Sequence, residues 1–197
     1  MHSTRTLAFS IVALLLLCGT SLAQNSGPQF WRRLSCEPFE PRTKLEQLED
    51  RQDVVVLKGF TRIITTQISG VRIDAVEMRE LSGASRIKGV VIALREGGER
   101  PNENRAFIDY EEITPLLNAM DALSQVDETI TKLAGFEGRY RTRGDFEMIV
   151  FRQTARLNAV TLFTGICDRA TTLISLDELA KMRAMVAEAK GRLDELR

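Results

Sequence analysis

Apolar and polar residues alternate with a period of two in several short stretches of this chain, as they do in half-buried β-strands. Val71 to Ala75 gives the clearest alternation. The run from Ile87 to Leu94 is largely apolar on both parities, which indicates a central strand buried on both faces. Stretches with a period close to 3.6 residues follow these strand-like series and predict amphipathic helices.

The strand-like stretches fall into two series of four. In the first half of the chain, the predicted strands cover 54–64, 71–78, 87–94 and 106–108. In the second half they cover 138–143, 146–151, 157–163 and 171–174, with a hairpin turn at Gly144 and Asp145. Two bulges are expected, one at Gly59 and one at Ala75–Val76, where the alternation shifts by one position.

Each series ends in a strand that leads into a helix. Asp109 and Ser175 both follow apolar residues, and a glutamate, Glu112 or Glu178, follows each of them three positions later. This is the spacing of a capping box, in which the cap residue and the glutamate satisfy each other's unpaired backbone amides. The second of these helices is expected to run from Ser175 towards Leu196.

Pro115 complicates the first helix. Proline has no backbone N–H and disfavours the helical conformation in the residue before it. Either 109–113 forms a separate turn, or the helix proper begins with Thr114 as its cap and Pro115 at its first position. The second arrangement is favoured. The helix is then predicted to reach about Leu133, with an inward face that includes Leu116, Met120, Leu123, Ile130 and Leu133.

These elements predict an α+β fold. Two tandem units, each of four strands and a helix, are expected to form one or two antiparallel sheets covered by the two helices. The units would occupy 53–135 and 136–197 of a single domain, 53–197. An N-terminal arm, 24–52, would precede the domain and carry a short capped helix at 43–49.

The first 23 residues predict a secretory signal peptide. Arg5 precedes an apolar run that ends at Cys18, and Ser21-Leu22-Ala23 places small residues for cleavage after Ala23. The apolar run is shorter than the roughly 20 residues of a membrane span, which disfavours an uncleaved anchor. A lipoprotein with Cys18 as the modified residue is disfavoured because Leu17 is bulky. The protein is therefore expected to be secreted or periplasmic, with no transmembrane segment after cleavage.

Removal of this segment changes which reactive and charged side chains remain in the protein. The single histidine, His2, is lost, so Ser-His-Asp and Cys-His sites in their usual forms and His-ligated metal sites are excluded. No phosphate-binding glycine loop or dinucleotide fingerprint occurs. The 27 basic and 27 acidic residues lose only Arg5, and so near-neutral a chain is not expected to bind nucleic acid. No catalytic, cofactor-binding or metal-binding residues are assigned.

Cys36 and Cys167 remain as an even pair in an exported chain, which makes a disulfide plausible. Such a bridge would connect the N-terminal arm to the loop before the last strand. By the loop-entropy estimate, closing so long a loop would stabilise the fold by about 4–5 kcal/mol.

Two groups of charged residues are candidate sites. Asp109, Glu111 and Glu112 form a carboxylate group that could serve acid–base chemistry, although capping already accounts for Asp109 and Glu112. The second group consists of arginines at alternating positions, which could bind an anion or nucleic acid along one face of a strand: Arg139, Arg141 and Arg143. The alternative for these arginines is a solvated hairpin face on which Glu137 and Glu147 pair with them.

Several segments resemble a family of uncharacterised secreted bacterial proteins: 88–92, 96–98, 107–113, 115–117, 131–133, 136–137, 140–145 and 175–181. The resemblance covers roughly 53–195 and implies no catalytic residues. The two four-strand-plus-helix units are also similar in architecture to the repeats of PUR and whirly-type single-strand nucleic-acid binders. Because folds host many functions, that likeness concerns topology alone.

The sequence therefore favours an exported, non-catalytic binding or structural module of the bacterial periplasm or envelope, with an unknown protein or envelope component as its partner. An envelope enzyme based on the carboxylates and an anion or nucleic-acid binder based on the arginines are the alternatives. A cleft holding a carboxylate of perturbed pKa would favour the enzyme. A concave face with the arginines in line would favour the anion binder. A sheet covered on one face by both helices and flat and mixed in charge on the other would favour the module.

Overall fold

A computed structural model describes residues 40–83, 85–98, 101–127, 129–131, 133, 135–154 and 157–196, all within one compact unit, Leu34–Arg197. These residues form three helices and eight strands. The first half contains α1 (Lys44–Glu49), β1 (Val56–Arg62), β2 (Val71–Glu80), β3 (Arg86–Arg95), β4 (Glu103–Asp109) and α2 (Tyr110–Ser124). The second half contains β5 (Glu137–Arg141), β6 (Phe146–Thr154), β7 (Leu157–Thr164), β8 (Ala170–Ser175) and α3 (Leu176–Asp194).

The strands form two four-stranded sheets, and each sheet follows chain order. The first sheet is β1-β2-β3-β4 and the second is β5-β6-β7-β8, with every neighbouring pair antiparallel. The predicted α+β fold of two tandem four-strand-plus-helix units is therefore confirmed.

One hydrophobic core joins the inner faces of the two sheets to α2 and α3. The first sheet contributes residues such as Ile73, Val90 and Ile108 to this core, and the second sheet contributes Met148 and Leu162. Both helices contact the first sheet and each other. The helices contribute residues spaced three or four apart, as amphipathic packing requires: Ile113, Leu116, Met120 and Leu123 from α2, and Leu179, Met182, Met185, Val186, Ala189 and Leu193 from α3.

A second, smaller core covers part of the outer face of the first sheet. Leu45 and Leu48 of α1 pack there on Val76, Met78, Val91 and Phe107. This explains why the apolar positions of β2 change parity, from Ile73 and Ala75 in the main core to Val76 and Met78 beneath α1. The two bulges predicted in this sheet are wrong, because β1, β2 and β3 pair in continuous register. Neighbouring positions of β2 are instead buried against different partners on the two faces.

The predicted bounds of the first helix are also wrong. The helix α2 begins at Tyr110 with Asp109 as its N-cap residue, so Pro115 lies inside it, and it ends at Ser124. Proline there removes one backbone donor, while the buried residues on both sides of it keep the helical spacing. Ile130 and Leu133, which were expected to face inward, lie beyond the helix and are 65% and 73% exposed.

The other predicted helix starts are confirmed. Ser175 and Glu178 form the capping box of α3, and Thr43 and Glu46 form that of α1. The hairpin between β5 and β6 turns at 142–145, where the Thr142 N–H donates to the Phe146 carbonyl over 2.9 Å.

Candidate functional site

The carboxylate cluster, defined as Asp109, Glu111 and Glu112 with Lys44 and Arg143, joins three elements of the fold. Asp109 is fully buried, and its side chain makes no cap hydrogen bond to its own helix. Its Oδ2 accepts the Lys44 N–H over 2.9 Å, and its Oδ1 accepts the Leu45 N–H over 3.2 Å. The predicted capping box at Asp109 and Glu112 is therefore wrong, since Asp109 caps α1 instead.

The two glutamates of the cluster have partners outside α2. Glu111 forms ion pairs with the Lys44 ammonium at 2.5 Å and with the Arg143 guanidinium at 3.3 Å. Glu112 accepts the backbone N–H of Arg143 over 3.1 Å and pairs with its Nε at 3.3 Å. The Glu112 carboxylate therefore binds the β5–β6 turn, and all three acidic residues hold separate parts of the chain together.

Burial and pairing shift the acidity of this cluster in opposite directions. Burial raises the pKa of Asp109 against the effect of its two backbone donors. The hydrogen bond from Lys44 is the main cause that lowers the pKa of Glu111. Asp109, whose pKa is raised, is buried and inaccessible to a substrate. Glu111 is accessible, and its partners hold it ionised. The cluster is thus well suited to fastening α1 and poorly suited to proton transfer.

The three candidate arginines are not brought together at one site. Arg139 pairs with Glu137 at 2.9 Å and with Glu147 at 3.1 Å, the two partners that the hairpin interpretation predicts. Arg141 pairs with Asp145. Arg143 turns away towards the carboxylate cluster. Each guanidinium therefore has a carboxylate partner from the chain itself.

The Arg143-Gly144-Asp145 tripeptide, which could be taken for an adhesion motif, is built into the fold. Asp145 is 5% exposed and pairs with Arg42 at 2.9 Å. A Cβ on Gly144 would lie 2.0 Å from the Phe107 carbonyl oxygen of β4. The glycine is therefore required because the turn approaches a neighbouring backbone closely.

The disulfide between Cys36 and Cys167 stays a prediction. Cys36 lies outside the residues that the structure describes. Cys167 lies between β7 and β8, and its carbonyl oxygen accepts a hydrogen bond from the Asn104 side-chain amide over 3.2 Å. This contact places the β7–β8 loop beside the start of β4.

The largest cleft among the described pockets, about 590 Å³, lies between the starts of α1, β3 and α2 and the end of α3. Its polar side chains make hydrogen bonds and ion pairs within the chain. Lys88 donates to the Leu193 carbonyl over 3.0 Å at the end of α3, and Tyr110 donates to Asp194. Lys44, at the same cleft, is paired with Glu111. These contacts fasten the C-terminal turn of α3 to the first sheet.

A second cleft, of about 330 Å³, lies on the part of the outer sheet face that α1 leaves uncovered. We call it the open face. Its lining combines four cations, one carboxylate and three apolar side chains: Lys58, Arg62, Arg72, Arg105, Asp74, Phe60, Val76 and Val91. Phe60 is 65% exposed. The open face is therefore a concave surface that combines cationic and apolar side chains.

Internal carboxylates orient these cations. Asp74, whose side chain is 11% exposed, pairs with the Nε atoms of Arg62 at 3.4 Å and Arg72 at 3.2 Å. Glu49 of α1 accepts hydrogen bonds from Lys58 and Arg105, each over 2.9 Å. A further acid, Glu103, pairs with Arg72 at 2.9 Å. These carboxylates fix the positions of the cationic groups around the cleft.

The open face was not recognised from the sequence, although one part of it could have been. Lys58, Phe60 and Arg62 alternate along β1 and must share a face. Arg72 and Arg105 lie on other strands, and only the register places them beside this row. In that register Asp74 pairs with Arg62 on one side and with Val91 on the other.

Comparison of the chain with models of protein families, with curated proteins and with solved structures finds no match. In the part of the chain that the structure describes, no helix has the length and apolar character needed to cross a membrane. The same residues contain no group of three or more histidine, cysteine or acidic side chains arranged to hold a metal ion. Function is therefore inferred from the geometry of the open face.

Proposed function

We propose that the protein is a non-catalytic binding module of the bacterial periplasm or envelope, and that its open face binds an anionic ligand. The observation that carries this proposal is that Lys58, Arg62, Arg72 and Arg105 line one cleft together with an exposed phenylalanine, Phe60. Export follows from the signal peptide expected at 1–23. A protein or another envelope component with negative charge is the partner that fits this surface.

The charge balance of the open face favours an anion. The lining contains four cations and one carboxylate, Asp74. Glu49 and Glu103 beside the cleft pair with three of these cations, so one positive charge remains in excess. The side chains of Arg62 and Arg105 are 56% and 50% exposed. Ion pairs so accessible to solvent stabilise a fold by about 0–1 kcal/mol each. A ligand carboxylate or phosphate can therefore share or replace an internal partner at little cost to the fold.

Phe60 adds an apolar contact to this surface. An aromatic ring beside cations can hold the apolar part of a ligand while the guanidinium groups bind its charge. The ring lies opposite Val76 in the sheet register, and both residues line the cleft. The ligand is therefore expected to carry both negative charge and an apolar group.

The binding module is favoured over the enzyme because of how the carboxylates are used. Asp109 is buried beneath α1 and Glu112 binds the β5–β6 turn, so neither borders the open face. Glu111 borders the cleft of about 590 Å³ with a lowered pKa, but its pairing with Lys44 and Arg143 holds it ionised, which does not suit proton transfer. Asp74 at the open face is held between two arginines. The first sheet is covered on one face by α2 and α3 and mixed in charge on the other, as expected of a module, while its outer face is concave instead of flat.

Titration calorimetry with poly-L-glutamate tests this function. The natural protein is expected to bind the polymer, with weaker binding at higher salt. The variant Lys58→Ala with Arg62→Ala should bind about tenfold more weakly, equivalent to about 1.4 kcal/mol. The control Arg183→Ala with Arg192→Ala removes the same charge from α3, and its affinity should equal that of the natural protein.

Two results would contradict the proposal. One is equal loss of affinity in the α3 control, which would indicate an effect of net charge alone. The other is salt-dependent retention on immobilised single-stranded DNA in preference to poly-L-glutamate, which would support the nucleic-acid alternative instead.

A further inference from the structure

Among the described residues, β1 forms an edge of the first sheet and pairs only with β2. The Ile63 N–H donates to the Ile73 carbonyl over 2.9 Å, and the Val55 carbonyl accepts the Leu81 N–H over 3.0 Å. In an antiparallel pair such hydrogen bonds recur at every second residue. The odd-numbered residues of β1 therefore bind β2, and the even-numbered ones direct their N–H and C=O groups outward.

Three of the outward-directed residues also line the open face. Lys58, Phe60 and Arg62 present their backbone groups at the edge and their side chains in the cleft. An extended chain added beside β1 would therefore reach backbone donors and acceptors and the cationic cleft at once. This is the geometry of strand addition, in which the main chain supplies affinity and alternate side chains supply specificity.

The charges of β1 select the kind of strand that can be added. The strand carries two cations, Lys58 and Arg62, and no acid. Lysine and other charges at an edge disfavour pairing with a second copy, because they bring like charges together. An acidic strand instead meets opposite charges. The exposed Phe60 between the two cations favours an apolar residue between two acidic ones.

We infer that the ligand of the open face is an acidic, extended segment of another protein, which adds antiparallel to β1 as a fifth strand. This inference rests on the proposed function and names its partner class. The residues of the segment that lie opposite Lys58 and Arg62 are acidic, and the one opposite Phe60 is apolar. Their backbone amides and carbonyls pair with the outward-directed groups of β1.

Selective backbone methylation tests strand addition separately from charge. The probe is an acetylated peptide with the repeat Glu-Thr-Val-Thr. In the antiparallel arrangement its Glu and Val amides face β1 and its Thr amides face solvent. N-methylation at Glu and Val should weaken binding about tenfold or more, since it removes hydrogen-bond donors. N-methylation at Thr is the matched control and should leave the affinity unchanged.

The outcomes separate the two proposals. If the parent peptide binds and both methylated peptides bind equally well, strand addition is overturned and the anion-binding function stands. If neither the peptide nor poly-L-glutamate binds, the proposed function itself fails. Any other order of affinities among the three peptides also overturns antiparallel addition.

Amide hydrogen exchange gives an independent readout on the unmodified protein. The amides of Lys58, Phe60 and Arg62 should exchange rapidly without peptide and slowly with it. The amides of Gly59 and Thr61, which face β2, should be protected in both states. Protection of the even-numbered amides in the peptide-free protein would show that a second copy or the chain itself already occupies the edge, and would overturn the inference.

Discussion

The buried carboxylate of Asp109 accepts the backbone N–H of Lys44 over 2.9 Å, which ties the end of β4 to the first turn of α1. A helix of six residues is too short to be stable alone, so its position depends on such contacts. Because α1 covers part of the outer sheet face, this contact also determines where the open face begins. The carboxylate cluster thus positions α1 beside the proposed binding surface.

Replacing Asp109 by alanine should destabilise the protein by about 1–3 kcal/mol, because two N–H groups lose their buried acceptor. Urea unfolding measures this change. Amide exchange over 44–49 should accelerate more than exchange in α3. Asp50→Ala, an exposed change at the other end of α1, is the matched control and should alter stability by less than about 0.5 kcal/mol. Equal effects of the two substitutions would contradict the role given to Asp109.

The raised pKa of Asp109 predicts how stability changes with pH. Its ordinary pKa is 3.8, and burial raises the pKa in the folded state. The folded protein therefore binds this proton more tightly than the unfolded chain does. The stabilisation from this titration is present below pH 3.8 and is lost as the pH rises through the folded pKa.

Asp109→Asn removes that titration and tests its sign. The difference in unfolding free energy between the natural protein and the variant should be largest in acid and should shrink as the pH rises above 3.8. Chemical unfolding at a series of pH values measures it. A difference that grows with pH would show that the folded state holds Asp109 as a favoured carboxylate, contrary to this prediction.

Gly144→Ala should weaken the junction between the β5–β6 turn and β4. The new Cβ would lie 2.0 Å from the Phe107 carbonyl oxygen, so the backbone must move. Overpacking of this kind costs about 1–3 kcal/mol. Gly191→Ala adds the same methyl group to α3 with nothing within 4 Å, and should stabilise the protein by about 0.5–1 kcal/mol. Thermal unfolding of both variants decides the matter, and a change of the same sign in both would contradict it.

The predicted export and disulfide can be checked on one sample of the secreted protein. Its N-terminal residue is expected to be Gln24. Reduction should then increase its mass by two hydrogen atoms, since Cys36 and Cys167 are the cysteines that remain. An unchanged mass would show two free thiols, and an N-terminus that retains Arg5 would contradict cleavage.

The sequence alone was sufficient to predict helix starts and turns that depend on residues close together in the chain. Ser175 and Glu178 cap α3 as their spacing predicts, and the Gly144-Asp145 turn lies where expected. Asp109 and Glu112 have the same spacing, yet their partners are Lys44 and Arg143, which lie far away along the chain. A local pattern cannot distinguish a cap from a tertiary anchor when both need a carboxylate.

The open face illustrates the other limit of sequence reasoning. Lys58, Phe60 and Arg62 are visible as one row, but their significance depends on which part of the sheet α1 covers. That boundary is set by contacts between distant residues, such as Leu45 with Phe107. The alternating arginines of β5 were easier to recognise in the sequence than the open face. In the structure Arg139 pairs with Glu137 and Arg141 pairs with Asp145.

The most direct measurement of the central claim is a residue-resolved map of amide chemical shifts during titration with the acidic Glu-Thr-Val-Thr peptide. The account predicts that the largest changes occur at Lys58, Phe60, Arg62 and Arg105. Changes centred instead on the β5–β6 hairpin, at Arg139 and Arg141, would contradict it.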